Sequence, residues 1–144
     1  RQVWVVDKAG TTAIYSGPNS LGIWTQAQGA DVASGGNMLA NDRVPQAMVD
    51  SFLASSGHLG DRLISAMRAG LAAGGEAGPL HSAGILLVDT VAWPVAELRC
   101  DWTDNCPIEN IATAWEVYKP QLAAYVQRAI DPRDAPSYGV PGDQ

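Results

Sequence analysis

The order of apolar patterns along the chain predicts an α+β fold rather than a regular β-α-β alternation. Three observations carry this. Short apolar runs separated by Gly, Asn and Pro occupy residues 2–33. Apolar side chains recur every four residues over 44–71, and a three-four spacing runs from Ile108 to Ala129 behind Pro107. Between the two helical regions lie two apolar runs of strand length.

Gln2 to Val6 is apolar on both sides, with Trp4 and Val6 opposite Val3 and Val5, a pattern expected of a strand buried between layers. Asp7-Lys8-Ala9-Gly10 reads as a turn, and Thr11 to Tyr15 as the returning strand of a hairpin. Ser16 to Gly22 is a loop. Trp24 and the following Gln-Ala-Gln-Gly suggest a turn and a short strand into Asp31-Val32-Ala33. A helix should begin near Asn41 or Asp42 with Pro45 in its first turn, bury Val44, Met48 and Phe52, and end at Gly57. The next should bury Leu59, Leu63, Met67 and Leu71 and stop at Gly74-Gly75. Ser82 to Asp89 and Val91 to Cys100 read as strands, the second with Pro94 marking an edge or bulge. Pro107 opens the longest helix, whose stripe of Trp115, Tyr118, Leu122 and Tyr125 is interrupted by Pro120, where a kink or split is expected. Residues 131–144 read as an extended, irregular tail, and 1–144 as one domain.

The 144 residues carry a net charge of −6, which argues against nucleic acid or an anionic membrane surface as a partner. No apolar stretch reaches membrane-spanning length. Cys100 and Cys106 are either a small-loop disulfide or two free thiols; free thiols in a cytoplasmic protein are the simpler reading. Two cysteines and two distant histidines are too few for a structural zinc site, and no phosphate-binding glycine loop is present, so no metal and no cofactor is implied.

Three stretches carry a resemblance: Ser34-Gly35-Gly36-Asn37-Met38-Leu39, the run from Gly74 to Leu87, and the tail from Arg128 to Asp143. Together they resemble the DUF1028 family, a bacterial group of unknown function placed among the Ntn (N-terminal nucleophile) hydrolase-like folds. The resemblance implies an αββα sandwich, two antiparallel sheets between helix layers, incomplete here. Family members look longer at the front, where a strand carries a Thr or similar residue just after the initiator Met. This chain opens at Arg1 on what resembles a mid-family strand. It is expected to be the C-terminal part of a member, whether nicked, truncated or a separate subunit. Its apolar first strand then calls for a companion segment or a homo-oligomer.

By analogy the function is amide hydrolysis of a small substrate, with the nucleophile on a segment outside this chain. Such chemistry needs a chain-terminal Thr, Ser or Cys, its own amine as base, and amide donors for the oxyanion. Asn37 is the candidate oxyanion donor, and Gly35 and Gly36 permit close approach of backbone to ligand. The plainer alternative is a bulge or turn leading into the first helix. His81 and Ser82 complete the candidate substrate-binding set, although neighbours on a strand point to opposite faces and make a poor base–nucleophile pair. The family usually shows an amide-bearing residue where His81 stands. Asp101, Asp104 and Asn105 read as loop and helix-cap residues, with a sparse cation site as the alternative. Trp24, Trp93 and Trp102 are either pocket walls or packing. Autocleavage before Thr11 is disfavoured because Gly10-Thr11 sits in a hairpin turn. The competing function is a non-catalytic binding or scaffold protein of the same fold, with a cell-wall link suggested by fusions seen in relatives.

Overall fold

Six strands pair into three two-stranded antiparallel sheets, in a computed structural model that describes residues 1–137. β1 (Gln2–Val6) pairs with β2 (Thr12–Ser16), β3 (Ile23–Gly29) with β4 (Val32–Leu39), and β5 (Ala83–Leu87) with β6 (Ala96–Cys100). Between β4 and β5 come helices α1 (Val44–Ala54) and α2 (Leu59–Ala72). After β6 come α3 (Pro107–Tyr118), a 3-10 turn at Lys119–Gln121 and α4 (Leu122–Ile130). The architecture is α+β, with small antiparallel sheets and helices.

Turn chemistry sets the first hairpin. Asp7 accepts from the backbone N–H groups of Ala9 (2.8 Å) and Thr11 (2.9 Å), and Gly10 takes φ +81°. Those bonds hold the Asp7 carboxyl below its ordinary range, with the Thr11 amide as the leading cause. Gly10-Thr11 is thus an ordinary turn pair. The β3–β4 hairpin is longer than the sequence suggests: Trp24 to Gly29 continue one strand, and the reversal comes at Ala30-Asp31, with Asp31 at φ +61°. Val91 to Pro94 lies outside β6, which starts only at Ala96.

The β1–β2 hairpin lies against one face of β3–β4, and α1 covers the other. On the shared face, Gln2 Nε2 donates to Ser16 Oγ (2.8 Å) and to the Gly36 carbonyl (3.1 Å), and Ser16 Oγ donates to Gln26 Oε1 (2.6 Å). Gly35 is needed there, since a Cβ would lie 2.9 Å from Ile14 Cδ1. On the helix face, Ala27 and Ser34 are buried against α1, where Ser34 Oγ lies 3.5 Å from Met48 Sδ. β1 is not the buried strand its pattern predicts. Val3, Trp4, Val5 and Val6 are 44–55% exposed: nothing among the described residues covers the outward face of Val3, Val5 and Tyr15, and Trp4, on the opposite face, borders an open cleft.

The second half of the core gathers Ile64, Ile85, Leu87, Val95, Ala96, Ile111, Ala112 and Trp115 between α2, β5–β6 and α3. Here the buried seam of α2 matches the expected one only in part: Leu63 and Met67 pack against the core. Leu59 and Leu71 are exposed, while Gly60, Ile64 and Gly70 are buried. The reason is steric: a Cβ on Gly60 would stand 2.4 Å from the Trp115 ring, and one on Gly70 would stand 2.8 Å from Met48. Small residues let the neighbouring helices close on α2, and close packing outweighs the leucine pattern. Pro120 splits the last helix as expected, through the 3-10 turn. Trp115 is fully buried and Tyr118 donates its hydroxyl to the Val95 carbonyl (2.8 Å), while Tyr125 is 44% exposed, stacks on Tyr118 and carries the Arg128 guanidinium over its ring. The predicted stripe therefore packs against the core through Trp115, Tyr118 and Leu122, and Tyr125 lies at its exposed margin. The helix cap is Cys106 without a side-chain bond, not Asp104 or Asn105, and Cys100 and Cys106 are free thiols. Of the tail, residues 132–134 form a 3-10 turn rather than extended chain, and 138–144 lie outside the described residues.

Replacing Trp115 by Ala should cost about 3–5 kcal/mol, read from the denaturant midpoint, because it empties the space over Gly60. A pH effect follows from Asp61, which accepts from Lys119 Nζ (2.6 Å) and Trp115 Nε1 (2.8 Å). Lys119 first, and Trp115 second, hold its carboxyl below the ordinary value. A lowered carboxylate stabilises the fold above its unfolded pKa of about 3.9, and that stabilisation is lost as pH falls through the lowered value. Asp61→Asn should therefore flatten the loss of thermal stability below about pH 4.

Candidate functional site

The motif Gly35-Gly36-Asn37-Met38-Leu39 forms the end of β4, and the strand is irregular there. Thr25 pairs with Gly36 and Ile23 with Leu39, so Trp24 alone faces both Asn37 and Met38. Two residues against one is a β-bulge. Met38 takes φ +54°, a left-handed conformation that costs a non-glycine residue roughly 1–2 kcal/mol. Its N–H donates to the Leu21 carbonyl (2.9 Å) and its carbonyl accepts from Ala77 N–H (2.8 Å), so both neighbours hold the strained residue in place. Gly22, itself at φ +64°, lets Met38 approach: a Cβ there would lie 3.1 Å from Met38 Cα.

The bulge decides which way the motif points. Side chains of an unbroken strand alternate, so Gly35, Asn37 and Leu39 would share the face toward β1–β2. The extra residue moves Leu39 to the helix side, where it is buried near Val44 and Met48. Asn37 stays on the inter-sheet side and lines an open cleft of about 440 Å³ with Arg1, Gln2, Trp4, Asn19, Ser20 and Leu21. The side chains of Arg1, Asn19 and Asn37 make no hydrogen bond among the described residues, whereas the amide nitrogen of Gln2 is spent on Ser16 and Gly36. Gly36 contributes its carbonyl to that clamp, and Gly35 contributes the close approach of the sheets.

His81 and Ser82 lie elsewhere. His81 Nδ1 sits 2.8 Å from the Thr103 carbonyl, which can only accept, so Nδ1 carries the proton and Nε2 is the free nitrogen. The ring stacks on Trp102 at 4.0 Å and 9°, and Asp104 Oδ1 stands 3.9 Å away. Ser82 borders a second, apolar cleft of about 350 Å³ with Leu39, Met48, Met67 and Leu80. The structure thus separates His81 and Ser82 from each other and from the Asn37 cleft. Asp101 is paired with Arg99 (2.8 Å), and no group of three or more His, Cys, Asp or Glu converges among the described residues. Trp93 and Trp102 are exposed, and the tryptophan that walls the cleft is Trp4. Arg1, Gln2, Asn19 and Trp4 escaped the sequence reading. Gln2 and Trp4 entered it only as members of the apolar first strand.

Antiparallel hairpins laid face to face, backed by helices and opening on an amide-lined cleft, place the chain among α+β proteins. No helix among the described residues is long and apolar enough to cross a membrane. The chain belongs to the DUF1028 family, described as a family of unknown function, whose model matches residues 1–111. It is similar to protein SPO2555 from Silicibacter pomeroyi, a DUF1028 protein known from its crystal structure, at 28% identity and a TM-score of 0.73. That match covers 82% of this chain and 52% of the other, so the chain spans about half the length of its structural relative. No curated protein matches the chain.

The conformation of Met38 gives a direct check on the bulge. Met38→Val should destabilise by about 1–2 kcal/mol, since a β-branched residue tolerates positive φ least, while Met38→Gly should cost nothing or stabilise. Chemical denaturation of the two variants reads the difference.

Proposed function

We propose that this chain supplies the oxyanion-stabilising part of an Ntn-type amidohydrolase site for a small amide, with the nucleophile on a segment outside these residues. The observation that carries the reading is the β4 bulge, which spends backbone strain to leave the Asn37 amide unpaired in an inter-sheet cleft. Strain held at a site by its neighbours is characteristic of functional positions. The Asn37 Nδ2–H donates to the carbonyl oxygen as it gains charge. The incoming hydroxyl or thiol attacks the carbonyl carbon and passes its proton to its own chain-terminal amine, which returns that proton to the substrate nitrogen as the C–N bond breaks and the amine leaves. Water then cleaves the acyl ester or thioester, freeing the acid and restoring the nucleophile.

The layer arrangement supports the finer fold assignment, an αββα sandwich. α1, β3–β4 and β1–β2 form three successive layers, and the bare face of Val3, Val5 and Tyr15 fits a fourth, helical one. A companion segment, or a second copy of the chain, supplies that cover and removes the exposed strand face. His81, with Nδ1 engaged and Nε2 free, lies outside this scheme.

Asn37→Ala should lower kcat for amide hydrolysis about 10²–10³-fold, the usual effect of removing one oxyanion donor. Thermal stability should change by no more than about 1–2 kcal/mol, because the side chain makes no hydrogen bond among the described residues. Released amine and the melting curve are read on the same samples. A variant that unfolds would assign Asn37 to the turn rather than to catalysis.

A further inference from the structure

We infer that the Asn37 cleft recognises a carboxylate, and that the substrate is an amide carrying one a few bonds from the scissile carbonyl, as an N-acyl amino acid does. The inference rests on the reading of Asn37 above and adds the substrate class. The chain holds 15 acidic against 9 basic residues, yet among the described residues no acid lines this cleft, and the charged side chain there is Arg1. The Arg1 side chain has no hydrogen-bond partner among the described residues. A guanidinium offers planar, paired N–H donors that match a carboxylate, and it stays charged at any working pH.

The geometry links this cation to the proposed oxyanion donor. The 3.1 Å hydrogen bond from Gln2 Nε2 to the Gly36 carbonyl ties β1 to β4, and Arg1 and Asn37 are the next residues along the chain on either side of it. The position of Arg1 is held as well: its carbonyl accepts from the Gly17 N–H at 2.8 Å, and Gly17 is buried, with a Cβ there lying 3.1 Å from that carbonyl oxygen. Asn19, across the cleft, adds a second free amide, and Trp4 gives an apolar wall for the short chain between the two polar ends. A cleft of about 440 Å³ falls in the usual range for small ligands.

N-acetylglycine and its neutral methylamide separate the charge from the rest of the ligand. Binding of each is followed by NMR at the Trp4 indole N–H and the Asn37 side-chain amide. N-acetylglycine should bind at least ten times more tightly than the methylamide, and Arg1→Gln should abolish that preference while the spectrum stays that of a folded chain. Added salt should weaken the acid and leave the methylamide unchanged, because the cation is exposed. Equal binding of the two probes, no shift at Trp4 with millimolar acid, or a preference that survives Arg1→Gln would each overturn the inference. Failure of the hydrolytic reading looks different: the acid preference and its dependence on Arg1 persist, but no amine is released from any amide.

Discussion

In an unbroken β4, Asn37 and Leu39 would have to share one face. Either a carboxamide would be buried among the helices or a leucine would stand in the cleft. The extra residue opposite Trp24 removes this conflict by reversing the phase of the strand. Leu39 then enters the core beside α1, and Asn37 remains between the sheets. The cost is a left-handed methionine, and the bonds from Met38 to Leu21 and Ala77 keep it there. The packing of the first helix and the chemistry of the cleft therefore depend on one local irregularity.

The helical side follows a different constraint, that of closest approach. Gly60 and Gly70 present flat patches on α2, and the bulky partners Trp115 and Met48 occupy them. Once Trp115 is seated, its indole N–H must find an acceptor, because a buried donor without one is costly. Asp61, one residue after Gly60, accepts it, and Lys119 balances the charge. Arg68 and Glu109 repeat the α2–α3 connection at the surface with a paired contact of 2.8 and 2.5 Å. Exposed pairs of this kind add little to stability, so the tryptophan is the main fastening between these helices.

Two polar clusters compete for attention, and they differ in what their groups have left to give. His81 is committed to Thr103 and Trp102, which ties the start of β5 to the loop before α3. The inter-sheet cleft instead contains side chains with donors to spare, beside a clamp built from Gln2. Uncommitted donors held by a rigid frame are what recognition of a ligand requires, and this is why the functional reading rests on Asn37 rather than on the more suggestive His-Ser pair.

Local signals were legible in the sequence wherever the cause lies within a few residues. Asp7 and Gly10 specify their turn, Pro45 and Pro107 open helices, Gly74-Gly75 close one, and Pro120 splits another. Each acts through its own φ angle or a missing N–H. The motif around Asn37 was likewise visible, as was the apolar first strand. What only the tertiary structure decided concerns pairing between distant segments. The register of β3 against β4 creates the bulge, and the approach of Trp115 and Met48 buries Gly60 and Gly70 of α2 while Leu59 and Leu71 stay exposed. The stacking of β1 on β4 brings Arg1 and Gln2 beside Asn37, and the same folding carries His81 away from it. Periodicity reports which side chains share a face of one element, but a face acquires its neighbour only when the elements pack.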